Sequence, residues 1–234
     1  MGLQKFKLNY TDQLLADHDV EITIYTDPLC CWSWAFQPQL AQLKKELGNK
    51  ATWEFKMGGL ISTWANFNDE VNSVSRPGQM GPVWMHAGQI ANMPIEHQLW
   101  MKDPPASSYP ACVAVKSVQL QSQEYGVSYL QLLREACMGE GKNIAKQSVL
   151  FDIAETLALN EPHFYLQKFK DDYENGRGMD AFRSDLNEVR FYNISRFPTL
   201  ILRSRNEKAI LISGYRRYPE ILEAIKTLGS GKKI

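Results

Sequence analysis

Two adjacent cysteines, Cys30 and Cys31, sit in the run VEITIYTDPLCCWSWAFQP (20–38), and Ser33 follows three residues after the first. The thiolate, not the thiol, is the nucleophile, so a cysteine's surroundings decide whether it reacts. Upstream, Val20, Ile22 and Ile24 alternate with Glu21, Thr23 and Tyr25, the period-two pattern of a half-buried strand. Asp27-Pro28 interrupts that pattern and a helical one begins. A thiol at such a junction is expected to face solvent and the positive end of the helix dipole, which lowers its pKa by one or more units from ~8.5. Cys30 is therefore the candidate nucleophile, with the Ser33 hydroxyl as a hydrogen-bond donor to its thiolate. The plain alternative is a buried, inert small side chain. Cys31 is either a second nucleophile, a makeshift resolving thiol or a half-exposed bystander; a disulfide between neighbours in sequence is strained and easily reduced.

Elements of the right kind surround this run. After the strand ending near Tyr25 or Thr26, Trp34, Leu40, Leu43 and Leu47 recur at helical spacing up to Gly48-Asn49, with Pro38 set to kink the helix or end its first turn. Trp53, Phe55 and Met57 alternate with Glu54 and Lys56 as a second strand closed by Gly58-Gly59, giving a parallel crossover. From about Ala65 to Asn193 helical patterns take over, over Val83–Ala91, Pro110–Ser122, Val127–Cys137, Gln147–Leu157, His163–Asn175 and Met179–Tyr192. Strands return at Thr199–Leu202 and Ala209–Ser213, joined by a turn at Arg205-Asn206, and a helix from Tyr218 to Leu228 closes the chain with Gly229 past its end. The order β-α-β, helices, β-β-α predicts an α/β thioredoxin fold with a large all-helical insertion. Residues 1–64 and 193–234 form the thioredoxin-like domain in two halves, and 65–192 the inserted helical subdomain.

Bulk properties narrow the partners. Lys plus Arg (26) equals Asp plus Glu (26), so charge gives no argument for nucleic acid or an anionic membrane. No apolar run approaches the ~20 residues of a membrane span. Gly2 invites myristoylation, but Phe6 stands where Ser or Thr is needed. Cys30, Cys31, Cys112 and Cys137 are too scattered for a disulfide framework, so a reduced, cytoplasmic protein is expected. His18, His86, His97 and His163 show no metal-ligand spacing. Cys112 and Cys137 lie in apolar helical stretches and read as core.

In this fold order a loop crosses in front of the thiol and carries a proline directly before the third strand; here that is Phe197-Pro198 before Thr199-Leu200. X-Pro bonds are cis only ~5–6% of the time, so topology, not frequency, predicts a cis Pro198 packed against Cys30. The Phe197 backbone is then free to pair with an extended substrate.

These residues resemble the DsbA-like thioredoxin superfamily, in particular its cytosolic FrnE-like branch. DPLCCWSW (27–34), SSYPACVAVK (107–116), LLREACMGEGKNI (132–144), FPTLIL (197–202) and GYRRYPEI (214–221) carry the resemblance in that order. Relatives usually read C-x-W-C; laid on this sequence, the first cysteine falls on Cys30, the tryptophan on Trp32 and the second cysteine on Ser33. The resemblance implies a thiol-disulfide oxidoreductase, with Trp32, Phe197 and Pro198 contacting substrate. No metal or bound organic cofactor is needed. Ser33 cannot resolve a mixed disulfide, so an external thiol such as glutathione is the implied co-substrate, for isomerase or deglutathionylation chemistry on protein or small-molecule disulfides. Two other resemblances compete: non-catalytic YjbH-type adaptors that bind protein partners, and kappa-class glutathione transferases, which carry serine at the active helix start. Trp64, Trp84 and Trp100, with Met80, Met85, Met93 and Met101, are either a groove for apolar peptide or core. Arg216-Arg217 is either an anion site, for a glutathione carboxylate, or a solvated pair.

Overall fold

The computed structural model describes residues 20–204 and 208–230; Gly2, Phe6, His18 and the Arg205-Asn206 turn lie outside the described residues. β1 (Val20–Thr26) is flanked on both sides. It pairs in parallel with β2 (Ala51–Met57), Val20 opposite Ala51 and Thr26 opposite Met57. On its other side it pairs antiparallel with β3 (Thr199–Ser204), Tyr25 opposite Thr199. β4 (Ala209–Ser213) completes the order β2-β1-β3-β4. This is the thioredoxin sheet.

The half-buried reading of β1 is corrected: only Glu21 is exposed, while Thr23 and Tyr25 are as enclosed as the isoleucines. A central strand covered on both faces buries its polar register too. Ile22 and Ile24 pack into one apolar cluster, and Tyr25 joins Ile201 and Cys30 in another. The buried Tyr25 hydroxyl is satisfied by donating to Glu188 Oε2 at 2.9 Å.

The helix after β1 is two pieces. α1 (Cys31–Ala35) and α2 (Gln37–Leu47) meet at Phe36, and Pro38 occupies the first turn of α2, where its missing N–H costs nothing. Leu43 and Leu47 are the buried face of α2.

Between Met57 and Thr199 every regular element among the described residues is helical, apart from a bridge between Asp69 and Val74. α3 (Met80–Ala91) packs on α1, and α4 (Leu99–Lys102) follows it. α5 (Tyr109–Gln119) is the central helix: nine of its residues are buried, including Lys116 and Gln119. Against it lie α6 (Gln123–Arg134), α7 (Gln147–Asn160), α8 (Leu166–Glu174) and α9 (Arg177–Phe191). A π-helical stretch, Glu135–Gly139, extends α6 and turns Cys137 and Met138 into the core. One apolar cluster runs from Val20 and Ile22 through Val115 and Leu133 to Phe169, so sheet and helical block share a core. α10 (Tyr218–Ser230) closes the chain on α2, β3 and β4, running past Gly229.

α9 is fastened to the sheet by buried charge. Asp185 accepts from the Met57 amide at 2.8 Å and pairs with Lys116 Nζ at 2.9 Å, while Lys56 Nζ pairs with Glu188 at 2.9 Å. These contacts fix the helix that backs the sheet beneath Tyr25. No helix among the described residues is long and apolar enough to cross a membrane.

α5 and α9 approach closely at Gly178, where an added Cβ would overlap Ser117 Oγ and press on the Val113 carbonyl. Gly178→Ala is expected to destabilise the protein by about 1–3 kcal/mol through overpacking. Ser117→Ala in the same chain should recover part of that loss, as read by chemical denaturation.

Candidate functional site

Cys30 is the residue that caps α1: its backbone is extended (φ −80°, ψ 109°), and its carbonyl accepts the Trp34 amide at 3.1 Å. The turn before it is wound on Asp27. The Asp27 carboxylate is fully buried and accepts from the Leu29 amide (2.8 Å), the Leu60 amide (2.7 Å), Ser108 Oγ (2.8 Å) and Cys112 Sγ (3.3 Å). Its backbone carbonyl accepts the Cys30 amide at 3.1 Å and Arg134 Nη2 at 3.5 Å. Arg134 Nη2 also donates to Thr26 Oγ1. Residues from β1, the β2 exit, α5 and α6 thus meet behind one sulfur.

In front of the sulfur lies the predicted loop. Phe197-Pro198 is cis, and Cys30 Sγ donates to the Phe197 carbonyl oxygen at 3.4 Å. The Phe197 ring presses on Gly58, where a Cβ would overlap it. Leu60, Ile194 and Trp32 complete the enclosure. Trp32 is half-exposed; it meets His86 of α3 edge to face, with ring centroids 5.6 Å apart, and Tyr215 in a tilted stack at 5.8 Å.

This geometry corrects the expected exposure of Cys30. The residue is 5% exposed, and burial pushes its thiol pKa up, not down. Opposing that shift are the Ser33 hydroxyl and amide and the Arg134 charge; Asp27 adds to it. The dipole of a five-residue helix does not offset the loss of water around an anion. Ser33 is itself buried, and with the thiol protonated its hydroxyl has no hydrogen-bond partner. Its influence on Cys30 is therefore that of a donor which engages the thiolate.

The half-exposed reading of Cys31 is corrected as well. It is 4% exposed, its Sγ points at the Val83 carbonyl of α3 at 4.0 Å, and burial raises its pKa strongly. Cys30 and Cys31 belong to different apolar clusters, on opposite sides of the α1 start. Cys112 and Cys137 are fully buried, as expected of core, but Cys112 also hydrogen-bonds Asp27. All four thiols are free.

The aromatic and methionine set is mostly core. Trp84, Trp100 and Met80 are buried, and Trp64, Trp84 and Trp100 stack edge to face; Met85 and Met101 are exposed. Arg216 and Arg217 lie on the surface, Arg216 donating to the Tyr215 carbonyl at 2.9 Å. Asp27, Ser108, Arg134 and His86 do not stand out from hydrophobic periodicity. Arg134 has a visible signal: a cation set among Leu132, Leu133, Ala136 and Cys137 in a helical stretch needs a buried partner.

Residues 24–223 match the sequence profile of a family described as Thioredoxin. Among solved structures, a candidate protein disulfide isomerase from Nitrosomonas europaea superposes with a TM-score of 0.74 at 20% identity, over 92% of this chain and all (100%) of that one. The cytosolic disulfide reductase DsbM from Pseudomonas aeruginosa gives 0.65 at 18% identity, over 90% of this chain and 95% of that one. Among curated relatives, the ClpXP adapter protein SpxH of Halalkalibacterium halodurans is 28% identical over 209 residues, 87% of this chain and 67% of its own length.

Two predictions come from this geometry. Gly58→Ala should push Phe197 off its seat and raise the rate of Cys30 alkylation several-fold, at a cost of about 1–3 kcal/mol in stability. The second concerns alkali. Burial raises the folded-state pKa of Cys30, Cys31, Cys112 and Cys137 above the unfolded ~8.5. The unfolded chain therefore loses these protons first, and their contribution to stability is present below about pH 8.5 and declines above it. The denaturation midpoint should fall as the pH rises above about 8.5. Cys137→Ala should flatten that slope.

Proposed function

Since the chain belongs to the thioredoxin family, we propose that it carries out monothiol thiol–disulfide exchange of the DsbA-like type on protein or small-molecule substrates through Cys30. The observation that carries this reading is the 3.4 Å approach of Cys30 Sγ to the Phe197 carbonyl across a cis Pro198, with the buried Ser33 hydroxyl left without a partner beside it. In the resting thiol form Cys30 is capped by that carbonyl. A substrate strand that pairs with the Phe197 backbone competes for it and displaces Trp32 from over the sulfur.

The exchange is balanced with one cysteine. The Cys30 thiolate attacks one sulfur of a substrate disulfide, a Cys30–substrate bond forms, the substrate S–S bond breaks, and the departing thiolate takes up a proton. With a glutathionylated substrate the enzyme is left bearing glutathione. A second glutathione thiolate attacks the glutathione sulfur of that mixed disulfide, forming glutathione disulfide and freeing Cys30. The substrate is reduced and glutathione oxidised, with no metal or bound organic cofactor. This chemistry suits a cytosolic location, where glutathione holds free thiols reduced.

A second reading is a protein adaptor. Relatives named as ClpXP adapters favour it, as does a resting thiol whose pKa burial raises. There the thioredoxin surface binds a protein partner and Cys30 is a packing residue.

The test is reduction of a glutathionylated peptide by glutathione, followed for wild type and Cys30→Ser. Exchange predicts that Cys30→Ser falls to the uncatalysed rate; equal rates end the catalytic reading, and partner capture unaffected by the same change supports the adaptor. Ser33→Cys should form an intramolecular disulfide with Cys30 under oxidant, seen as the loss of two free thiols by mass.

A further inference from the structure

Two of the sequence blocks that carry the family resemblance, 107–116 and 132–144, lie far from Cys30 in the chain, and the exchange reaction leaves them unexplained. Both come together behind the thiol. Ser108, just before α5, and Cys112 of α5 bind the Asp27 carboxylate, and Arg134 of α6 binds Thr26 Oγ1 and the same Asp27 carbonyl that accepts the Cys30 amide. Arg134 is 4% exposed, and its Nε–H is buried without a hydrogen-bond partner. A buried guanidinium with a spare donor is costly unless an anion is at hand.

We propose that Arg134 and Asp27 are positioning residues for Cys30: the guanidinium is the buried counter-charge that holds the thiolate when it forms, and the carboxylate, by opposing it, keeps the resting site in the thiol form. The proposal rests on the reading of Cys30 as the reacting sulfur. Burial raises the Asp27 pKa and its four hydrogen-bond donors oppose that rise; with the carboxylate ionised beside a protonated Arg134, as the proposal requires, ionising Cys30 leaves one net negative charge in the pocket. The Arg134 charge and the Ser33 donors are what favour that state, and burial and Asp27 are what resist it. A site so arranged protects the sulfur at rest and ionises it when substrate displaces the Phe197 carbonyl.

The other titratable groups around the sulfur are few. Cys31 adjoins it and points to α3; Cys112 of α5 and Cys137 after α6 sit on the Asp27 side. Across the sheet, Tyr25 is engaged with Glu188 and flanked by Tyr192 and Arg203. Among these, Arg134 is the cation that acts on both Cys30 and Asp27.

The experiment is a pH profile of Cys30 alkylation by iodoacetamide in the full chain, from about pH 6 to about pH 11, resolved from the other thiols by peptide mass spectrometry. Arg134→Gln should raise the apparent pKa by about one unit, a roughly tenfold loss of alkylation rate on the rising limb. Asp27→Asn should lower it. Opposite shifts identify charge; a merely structural role for both residues moves the two variants in the same direction, by loosening the same turn, and that result, or no shift in either, overturns the proposal. If Arg134→Gln does not fold, Asp27→Asn decides alone, and an unchanged or raised pKa there refutes the pair. Glutathione exchange measured on the same proteins keeps the two readings apart. Opposite shifts without turnover in wild type support the electrostatic pair and refute the exchange reading, whereas turnover with unshifted profiles does the reverse.

Discussion

A single buried carboxylate organises this molecule. Asp27 leaves the central strand where the chain must turn into a helix, and no solvent reaches it. Burial raises its pKa, and its hydrogen-bond donors oppose that rise; a carboxyl group in such a place is tolerable only when its polar atoms are paired. Four donors from the Pro28 turn, the β2 exit, Ser108 and α5 pair them. The same bonds fix the direction in which Cys30 faces. They also join the helical block to the thiol-bearing turn: Cys112 of α5 and Ser108, which precedes α5, both bind the Asp27 carboxyl.

The thiol itself is held by opposing effects of similar kind. Desolvation disfavours its anion, as does Asp27; the Ser33 hydroxyl and amide and Arg134 favour it. A helix dipole alone is worth roughly 0.3–1 kcal/mol at a surface, too little to outweigh burial of a charge. The resting protein therefore keeps the proton and satisfies it with the Phe197 carbonyl. Reaction and enclosure are in tension here, and the enclosing parts, Trp32 on His86 and Tyr215, and Phe197 on Gly58, are small side-chain contacts, not the frame of the fold.

The frame beneath those contacts is fastened by buried charge. Asp185, Lys116, Lys56 and Glu188 tie α9 to β2 beneath the sheet, with the Met57 amide and Tyr25 hydroxyl as fixed points. Such buried pairs contribute less to stability than to keeping one arrangement, since their desolvation offsets much of their attraction. A sheet held this way brings Cys30 Sγ within 3.4 Å of the Phe197 oxygen although the two residues are 167 apart in sequence.

The order of elements was legible in the chain because it rests on local periodicity. β4 falls on Ala209–Ser213 as expected, Pro38 divides the first helix, and the helices between residues 80 and 191 follow their apolar spacing except the short α4, which that spacing does not predict. The cis Phe197-Pro198 bond was legible only through that order. The environment of Cys30 was not. Its burial depends on Leu60, Ile194 and Phe197, and its electrostatics on Arg134, none of them a sequence neighbour. Desolvation is set by everything within a few ångströms in space, which a strand-to-helix pattern does not contain. Sequence alone determined which sulfur stands at the head of the helix; tertiary packing decided that it is enclosed, protonated and backed by a buried carboxyl and a buried guanidinium.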